Sequence, residues 1–560
     1  MMKFGVSQPV RRVEDVRLLT GKGRYIDDIA PANALRAFIL RSPEAHADIV
    51  SIDTAEAAAA PGVRLILTAA DLEGAVENSI DYFTTENSDG SPVATPITPI
   101  LATGRVRHVG QPVAAIIADT LAQARDAAEL IEVEYRERPA HVATATGGPA
   151  VHDEAPDNIC FDWSIGDEAA TTAAFDAAAH RVTLDLIDNR VISNPMETRG
   201  ATAQWDGAKL TVTINGQGVW MQKASLAKKL GLDPDHVRVI NPDVGGGFGT
   251  KAFDYPEHFI VAEAARRLGQ PVHWVADRSE GMVSDVSGRD HVTRMQAAFD
   301  ADHRLIGLRV DCTANLGAYC SAFAQLVPGF VASRVFPGVY DVQAAFMRVI
   351  GVFTNTTPVD AYRGAGRPEA IYALERLMDY SARQLGVDPL ELRRKSFIPP
   401  EKFPYTSAAG EIYDVGDFDR VLRRAEKEAD LAGFAARKAQ SAARGKLRGL
   451  GTCYYIESIL GDQNETTKIE FAEDGMVDLY VGTQSNGQGH ETVFAQILHQ
   501  RAGVPFEKIR FVQGDSDRIA KGGGTGGSRS VTMQGNSINA TADIMIENFM
   551  QLAEEELEAA

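Results

Sequence analysis

The sequence has little cysteine. Cys160, Cys312, Cys320 and Cys453 are its four thiols in 560 residues, and no two stand as Cys-x-x-Cys. Iron–sulfur clusters and structural zinc sites draw on clustered thiolates, so neither is expected on this chain. Four scattered, buried, apolar thiols suit a reducing cytoplasm. Basic residues are also in deficit: 56 Lys and Arg face 76 Asp and Glu, for a formal charge of −20. So acidic a chain lacks the basic face that binding to nucleic acid or an anionic membrane needs, although a local pocket for a small anion stays open. No run reaches the roughly 18 apolar residues of a membrane helix. Met1-Met2-Lys3-Phe4-Gly5 lacks the apolar stretch of a secretion signal. The expectation is a soluble cytoplasmic protein with no membrane span and no nucleic acid.

Common catalytic signatures are missing too. There is no Gly-x-Ser-x-Gly elbow and no His-Glu-x-x-His zinc helix. Gly245 to Lys251 lacks the spacing of a P-loop, and Gly487-Gln488-Gly489 lacks the third glycine of a Rossmann fingerprint. His490-Glu491 could pair as base or metal ligands, but no second histidine stands at ligand spacing.

What is present is a long chain of ordinary hydrophobicity, 44% apolar, enough for three to four domains. Its alternation of strand-like and helix-like periods predicts an α+β or α/β multidomain protein. Residues 34–41, 63–68 and 113–118 read as strands, 121–131 as a helix and 132–135 as a strand. Pro139 to Pro156 has no periodicity and reads as a linker. Strands at 210–214 and 237–240 bracket a helix at 219–230, and helices follow at 256–268 and 368–385. Asp388-Pro389 opens another helix, with Asp as N-cap. The last third reads as helices over 418–443, strands at 449–456, 466–471, 476–482 and 509–513, and helices at 493–502 and 531–560. Trp205, Trp220 and Trp274 fall at core positions.

Four loops join glycine to polar or cationic residues: Gly245 to Lys251, Ala361 to Arg367, Gly487 to Thr492 and Gly522 to Ser530. Glycine lets backbone N–H groups approach an anion, and a following helix adds its positive N-terminal end. Each loop alone is a tight turn. Together they offer amides with Gln488, Thr525, Ser528, Ser530, Arg363 and Arg367, a donor set for a long, phosphate-bearing cofactor.

These loops, in this order, resemble the large subunits of the xanthine dehydrogenase, aldehyde oxidase and carbon monoxide dehydrogenase family, the molybdenum hydroxylases. Gly110-Gln111-Pro112-Val113-Ala114, Asn194-Pro195-Met196-Glu197, Gly245-Gly246-Gly247-Phe248-Gly249-x-Lys251, Gly487-Gln488-Gly489-His490-Glu491-Thr492 and Gly527-Ser528-Arg529-Ser530 carry the resemblance. It implies an N-terminal α/β hammerhead domain over 1–140, a linker over 141–160, and two molybdopterin-binding α+β domains, 161–415 and an incomplete 416–560.

By the same resemblance, Gln217 hydrogen-bonds an oxygen ligand of molybdenum and Arg363 lies beside the metal. Phe248 and Gly527 approach it through backbone. Gly246, Gly247, Phe248, Gly249, Gln488, Gly489, His490, Thr525, Gly527, Ser528 and Ser530 hold the pterin or its phosphates. The cofactor implied is molybdenum–molybdopterin cytosine dinucleotide. With no clustered cysteines here, a [2Fe-2S] subunit and an FAD-binding medium subunit are the implied partners, in a dimer of heterotrimers. The implied reaction is hydroxylation of an aldehyde or N-heteroaromatic small molecule with water oxygen.

Departures narrow the substrate. Gly364 stands where carbon monoxide dehydrogenases carry a copper-binding cysteine. Ala365 and Ala252 stand where xanthine enzymes carry an aromatic and an acidic residue. The family's base, a glutamate in a Gly-x-Gly-Glu stretch, has no counterpart; Glu411 follows a glycine in a different setting. The expectation is a truncated or split chain; the alternative is a catalytically inert pterin-binding or assembly scaffold.

Overall fold

A computed structural model describes residues 4–461 and 465–557. Pro112–Ala118 is buried at every position, so it forms the interior of a sheet rather than an edge. Leu35–Arg41 and Val63–Thr68 flank it antiparallel. The sheet then continues through residues far downstream. Leu35–Arg41 pairs in parallel with Val272–Val275, followed by Gly200–Trp205, Leu210–Ile214 and, at the edge, Val237–Ile240. Strands from either side of residues 141–160 thus share one seven-stranded sheet.

Pro256–Leu268 is buried from Glu257 to Ala265 and packs on this sheet. Proline at its first turn and Gly269 in the left-handed region past its end set its limits. A buried ion network ties the two sequence regions together. Arg199 donates to Glu257 at 2.8 Å and to Asp285 at 2.6 Å, while Arg41 donates to Glu257 at 2.6 Å and to Glu280 at 2.7 Å.

A second, five-stranded sheet runs Ile159–Gly166, Ala345–Phe353, Leu305–Gly317, His291–Phe299 and His180–Asp188. The Arg367–Leu385 helix packs across it. Asp388 caps Pro389–Ser396 by accepting from the N–H groups of Leu390 and Glu391. The last region has a three-stranded sheet, Thr467–Phe471, Val477–Val481 and Ile509–Val512, covered by the helices His490–Ala502 and Ser530–Leu557. Residues 558–560 of the expected terminal helix lie outside the described residues. This region extends the edge of the seven-stranded sheet: Asn241 N–H donates to Gly514 O at 2.7 Å and Ser516 N–H to Val239 O at 3.0 Å. Asp515 meanwhile pairs with Arg238.

Two sequence expectations need correction. Residues 449–456 form no strand. Their anchors are side chains instead: Tyr454 N–H donates to a Glu375 carboxylate and Tyr454 OH to Phe418 O. Cys453 is exposed while the other three cysteines are buried. Residues 139–156 are aperiodic but not loose. Val151, His152 and Ala155 are buried, and Val151 N–H donates to Asn158. Among the described residues no helix is long and apolar enough to cross a membrane.

Candidate cofactor site

Two parallel strands, Leu210–Ile214 and the edge strand Val237–Ile240, end side by side. Their carboxyl ends release Gln217 and the Gly245–Lys251 loop, the place where parallel strands present ligand-binding turns. Glu197 fixes the loop's start: its carboxylate accepts from Gly245 N–H at 2.8 Å and from the Lys251 ammonium at 3.0 Å. Burial pushes the Lys251 amine below its ordinary range. Gln217 fixes the loop's middle, its Oε1 accepting from Gly249 N–H at 2.8 Å. Gly247 leaves little room for a side chain, because a Cβ there would force the amide ends of Gln217 and Asn486 to shift. Phe248, at φ +56° and 41% exposed, turns its ring outward.

The other end of the same amide reaches the last region. Gln217 Nε2 donates to Thr525 O at 2.8 Å, and Thr525 N–H donates back to Gln217 O at 2.6 Å. Thr525 Oγ1 donates to Gln484 O at 2.6 Å and lies 3.0 Å from Ser530 Oγ, where the terminal helix starts. Ser528 Oγ accepts from Arg367 at 3.2 Å, and Gly527 O accepts from Leu460 N–H at 2.9 Å. Arg363 enters from the second sheet's side. Its N–H donates to Phe248 O at 2.8 Å and its guanidinium lies 5.6 Å from the Phe248 ring centre. Arg363 sits at φ +20°; such backbone persists only where neighbours over-determine it.

Gly489, at φ +88°, caps the helix that His490 begins. The helix therefore starts at His490, three residues before the sequence placed it. Gln488 Nε2 donates to Gln484 O at 3.3 Å. His490 is 2% exposed beside Phe494, and burial pulls its pKa down to about 4. Glu491 pairs with Arg17 at 3.2 Å, and among the described residues no group of three His, Cys, Asp or Glu could hold a metal ion.

The structure thus brings Gln217, Gly246, Gly247, Phe248, Gly249, Arg363 and Thr525 into one connected group, with Gly527, Ser528 and Ser530 linked through Arg367, Leu460 and Thr525. Gln488, Gly489 and His490 adjoin it through Gln484. Sequence reasoning missed an N-terminal arm. Arg12 donates to Gly487 O at 2.8 Å, Val13 N–H to Thr492 Oγ1 at 2.9 Å, and Arg17 grips Asp243 at 2.7 Å. The paired charges of residues 11–17, Arg11-Arg12 then Glu14-Asp15 then Arg17, were its only signal. It also missed Asn486, Gln484 and Arg289.

A pterin dinucleotide fits these residues on physical grounds. Gln484 Oε1, Asn486 Oδ1 and His490 Nδ1 are buried without hydrogen-bond partners among the described residues, a state native proteins avoid unless something else satisfies it. A Cβ on Gly487 or Gly526 would meet nothing within 4 Å, which leaves open space along the exposed turns.

Fold and site together define a molybdopterin-binding protein. The family profile described as molybdopterin cofactor-binding domain matches residues 151–397 and, in a second form, 424–560. The aldehyde oxidase and xanthine dehydrogenase a/b hammerhead profile matches residues 20–139. The chain is 34% identical to the nicotine 6-hydroxylase large subunit of Paenarthrobacter nicotinovorans, over 99% of this chain and 69% of that one. It is also 34% identical to the carbon monoxide dehydrogenase large chain of Hydrogenophaga pseudoflava, over 94% and 69%. The crystal structure of quinoline 2-oxidoreductase from Pseudomonas putida 86 superposes with a TM-score of 0.92 at 35% identity, over 100% of this chain and 72% of that one. The chain belongs to the large subunits of the molybdenum hydroxylases, molybdenum-dependent oxidoreductases of the xanthine dehydrogenase, aldehyde oxidase and carbon monoxide dehydrogenase family.

Proposed function

We propose that this chain hydroxylates an N-heteroaromatic ring or an aldehyde with water as oxygen source and passes the electrons to iron–sulfur and FAD subunits. The Gln217 amide carries the reading, because it joins the Gly249 turn to Thr525 at the meeting of both cofactor-binding regions. Molybdenum bound there would supply the two-electron oxidant and the activation of water. Of the two hydrogens on Gln217 Nε2, one goes to Thr525 O; the other is left for an oxygen ligand of the metal. Arg363 offers positive charge beside it, and Phe248 and Gly527 offer backbone. Gly246, Gly247 and Gly249 admit the pterin. Gln488, Gly489, His490, Thr525, Ser528 and Ser530 offer donors to the pterin or its phosphates.

The cytosine dinucleotide form, a [2Fe-2S] small subunit, an FAD-binding medium subunit, a dimer of heterotrimers and a cytoplasmic setting complete the reading. Gly364 supplies no thiolate beside Arg363, which argues against copper and carbon monoxide. The names of the nicotine and quinoline enzymes put N-heteroaromatic rings ahead of aldehydes. A second reading, an inert pterin-binding scaffold, has one observation in its favour. Two carboxylates tied to this site, Glu197 and Glu457, are engaged by Lys251 and Arg367 rather than free to act as base.

The test is to purify the complex, measure molybdenum and acid-released cytidine monophosphate, and assay heteroaromatics and aldehydes with an artificial electron acceptor. Absence of molybdenum sinks the enzyme reading. Molybdenum without turnover favours the scaffold. Gly247→Ala should retain about a fifth or less of the molybdenum, as overpacking of about 1–3 kcal/mol implies.

A further inference from the structure

We propose that Arg289 is a positioning residue that holds Arg363 in place through the backbone of its loop. The inference rests on the reading of Arg363 as the side chain beside the metal. Arg289 lies in the turn between the Arg278–Ser284 helix and the His291–Phe299 strand, and its side chain is only 10% exposed. One guanidinium nitrogen donates to Tyr362 O at 2.6 Å and to Glu369 Oε1 at 3.0 Å; the other donates to Arg363 O at 3.1 Å. The guanidinium also lies over the Tyr362 ring, 5.0 Å from its centre. One planar fork thus bridges two successive carbonyls of the loop and a carboxylate on the helix into which the loop runs.

The turn that delivers this fork is shaped for it. Gly288 leaves no room for a Cβ against Tyr362. Arg289 and Asp290 both take left-handed backbone, at φ +65° and +71°. Asp290 is anchored in turn by Arg190 at 2.7 Å, Asn315 at 3.1 Å and Thr144 at 2.9 Å. On the far side of the loop, Arg363 N–H donates to Phe248 O. Arg363 is therefore gripped from opposite sides, by the glycine loop through its N–H and by Arg289 through its carbonyl. An ammonium is a point donor and cannot reproduce the planar three-acceptor geometry. Any non-glycine replacement shares the left-handed backbone cost, so a substitution isolates the guanidinium.

The experiment uses Arg289→Gln and Arg289→Lys in the purified, molybdenum-loaded complex, with hydrogen exchange, kcat and KM read in parallel. Amide exchange over residues 361–366 should rise about tenfold or more in both variants, while residues 245–247 keep their protection. The kcat should fall about tenfold with KM within twofold, and Arg289→Gln added to Arg363→Gln should cost less than about twofold more, because the second change acts through the first. Unchanged exchange over 361–366, or losses that multiply in the double variant, overturn the proposal. Should Arg289→Gln fail to fold, Arg289→Lys carries the same comparison. If Arg363→Gln alone leaves kcat intact, the placement of Arg363 beside the metal is wrong; the exchange measurement still decides whether Arg289 holds the loop.

Discussion

The wall built from Gln217 and Gly245 to Lys251 satisfies itself, whereas the wall built from residues 483–490 does not. In the first, both ends of the Gln217 amide and both oxygens of Glu197 have protein partners. In the second, Thr483 Oγ1, Gln484 Oε1, Asn486 Oδ1 and His490 Nδ1 are buried and unmatched among the described residues. The first wall is preorganised by sheet ends and intramolecular hydrogen bonds. The second holds polar atoms left for a ligand or ordered water to complete. Cofactor affinity and chain stability should therefore respond differently to changes on the two sides.

The largest effect is expected at Glu197. Its removal in Glu197→Ala strands the Lys251 ammonium, whose side chain is 1% exposed, and should destabilise the chain by about 3–5 kcal/mol. On the other wall, Glu491→Ala breaks a half-exposed pair with Arg17 and should cost no more than about 1 kcal/mol. Equilibrium urea unfolding of both variants checks the contrast; equal losses would break it.

A smaller but sharper pair is Gln217→Ala against Asn486→Ala. The first leaves Gly249 N–H and Thr525 O short of partners and should cost the cofactor-free chain about 1–3 kcal/mol. The second removes an already unmatched oxygen, so the cofactor-free chain should change by less than about 0.5 kcal/mol while molybdenum retention drops. If Asn486→Ala unfolds as readily as Gln217→Ala, the second wall is not waiting for a ligand.

The last effect concerns pH. Burial lowers the His490 pKa in the fold to about 4, from an ordinary 6.5. The unfolded chain therefore binds more protons between these values. The contribution is complete above about pH 6.5 and is lost as pH falls toward 4. His490→Gln should flatten the stability profile in that window by about one proton, read from urea midpoints at a series of pH values; an unchanged slope would show His490 to be solvated.

The local chemistry of this site was legible in the sequence to an uneven degree. The helix start at Asp388-Pro389 followed from its capping residue, and the four glycine loops followed from composition. The shared seven-stranded sheet was not legible, since pairing of Leu35–Arg41 with Val272–Val275 is decided by packing rather than by either segment's own pattern. Residues 449–456 have strand-like composition but no strand partner; Tyr454 instead anchors them to Glu375 and Phe418. Arg289 carries no motif; only the fold reveals that its fork reaches Tyr362 and Arg363.

The N-terminal arm has a consequence for the order of assembly. Val13 finds its partner Thr492 479 residues later, so at ribosomal rates of about 5–20 residues per second the arm waits roughly 25–100 s for its seat to be made. Residues 12–17 thus dock only after the Gly487–Glu491 turn has been made, and Arg12 and Arg17 then clasp that turn as the outer rim of the cofactor cleft.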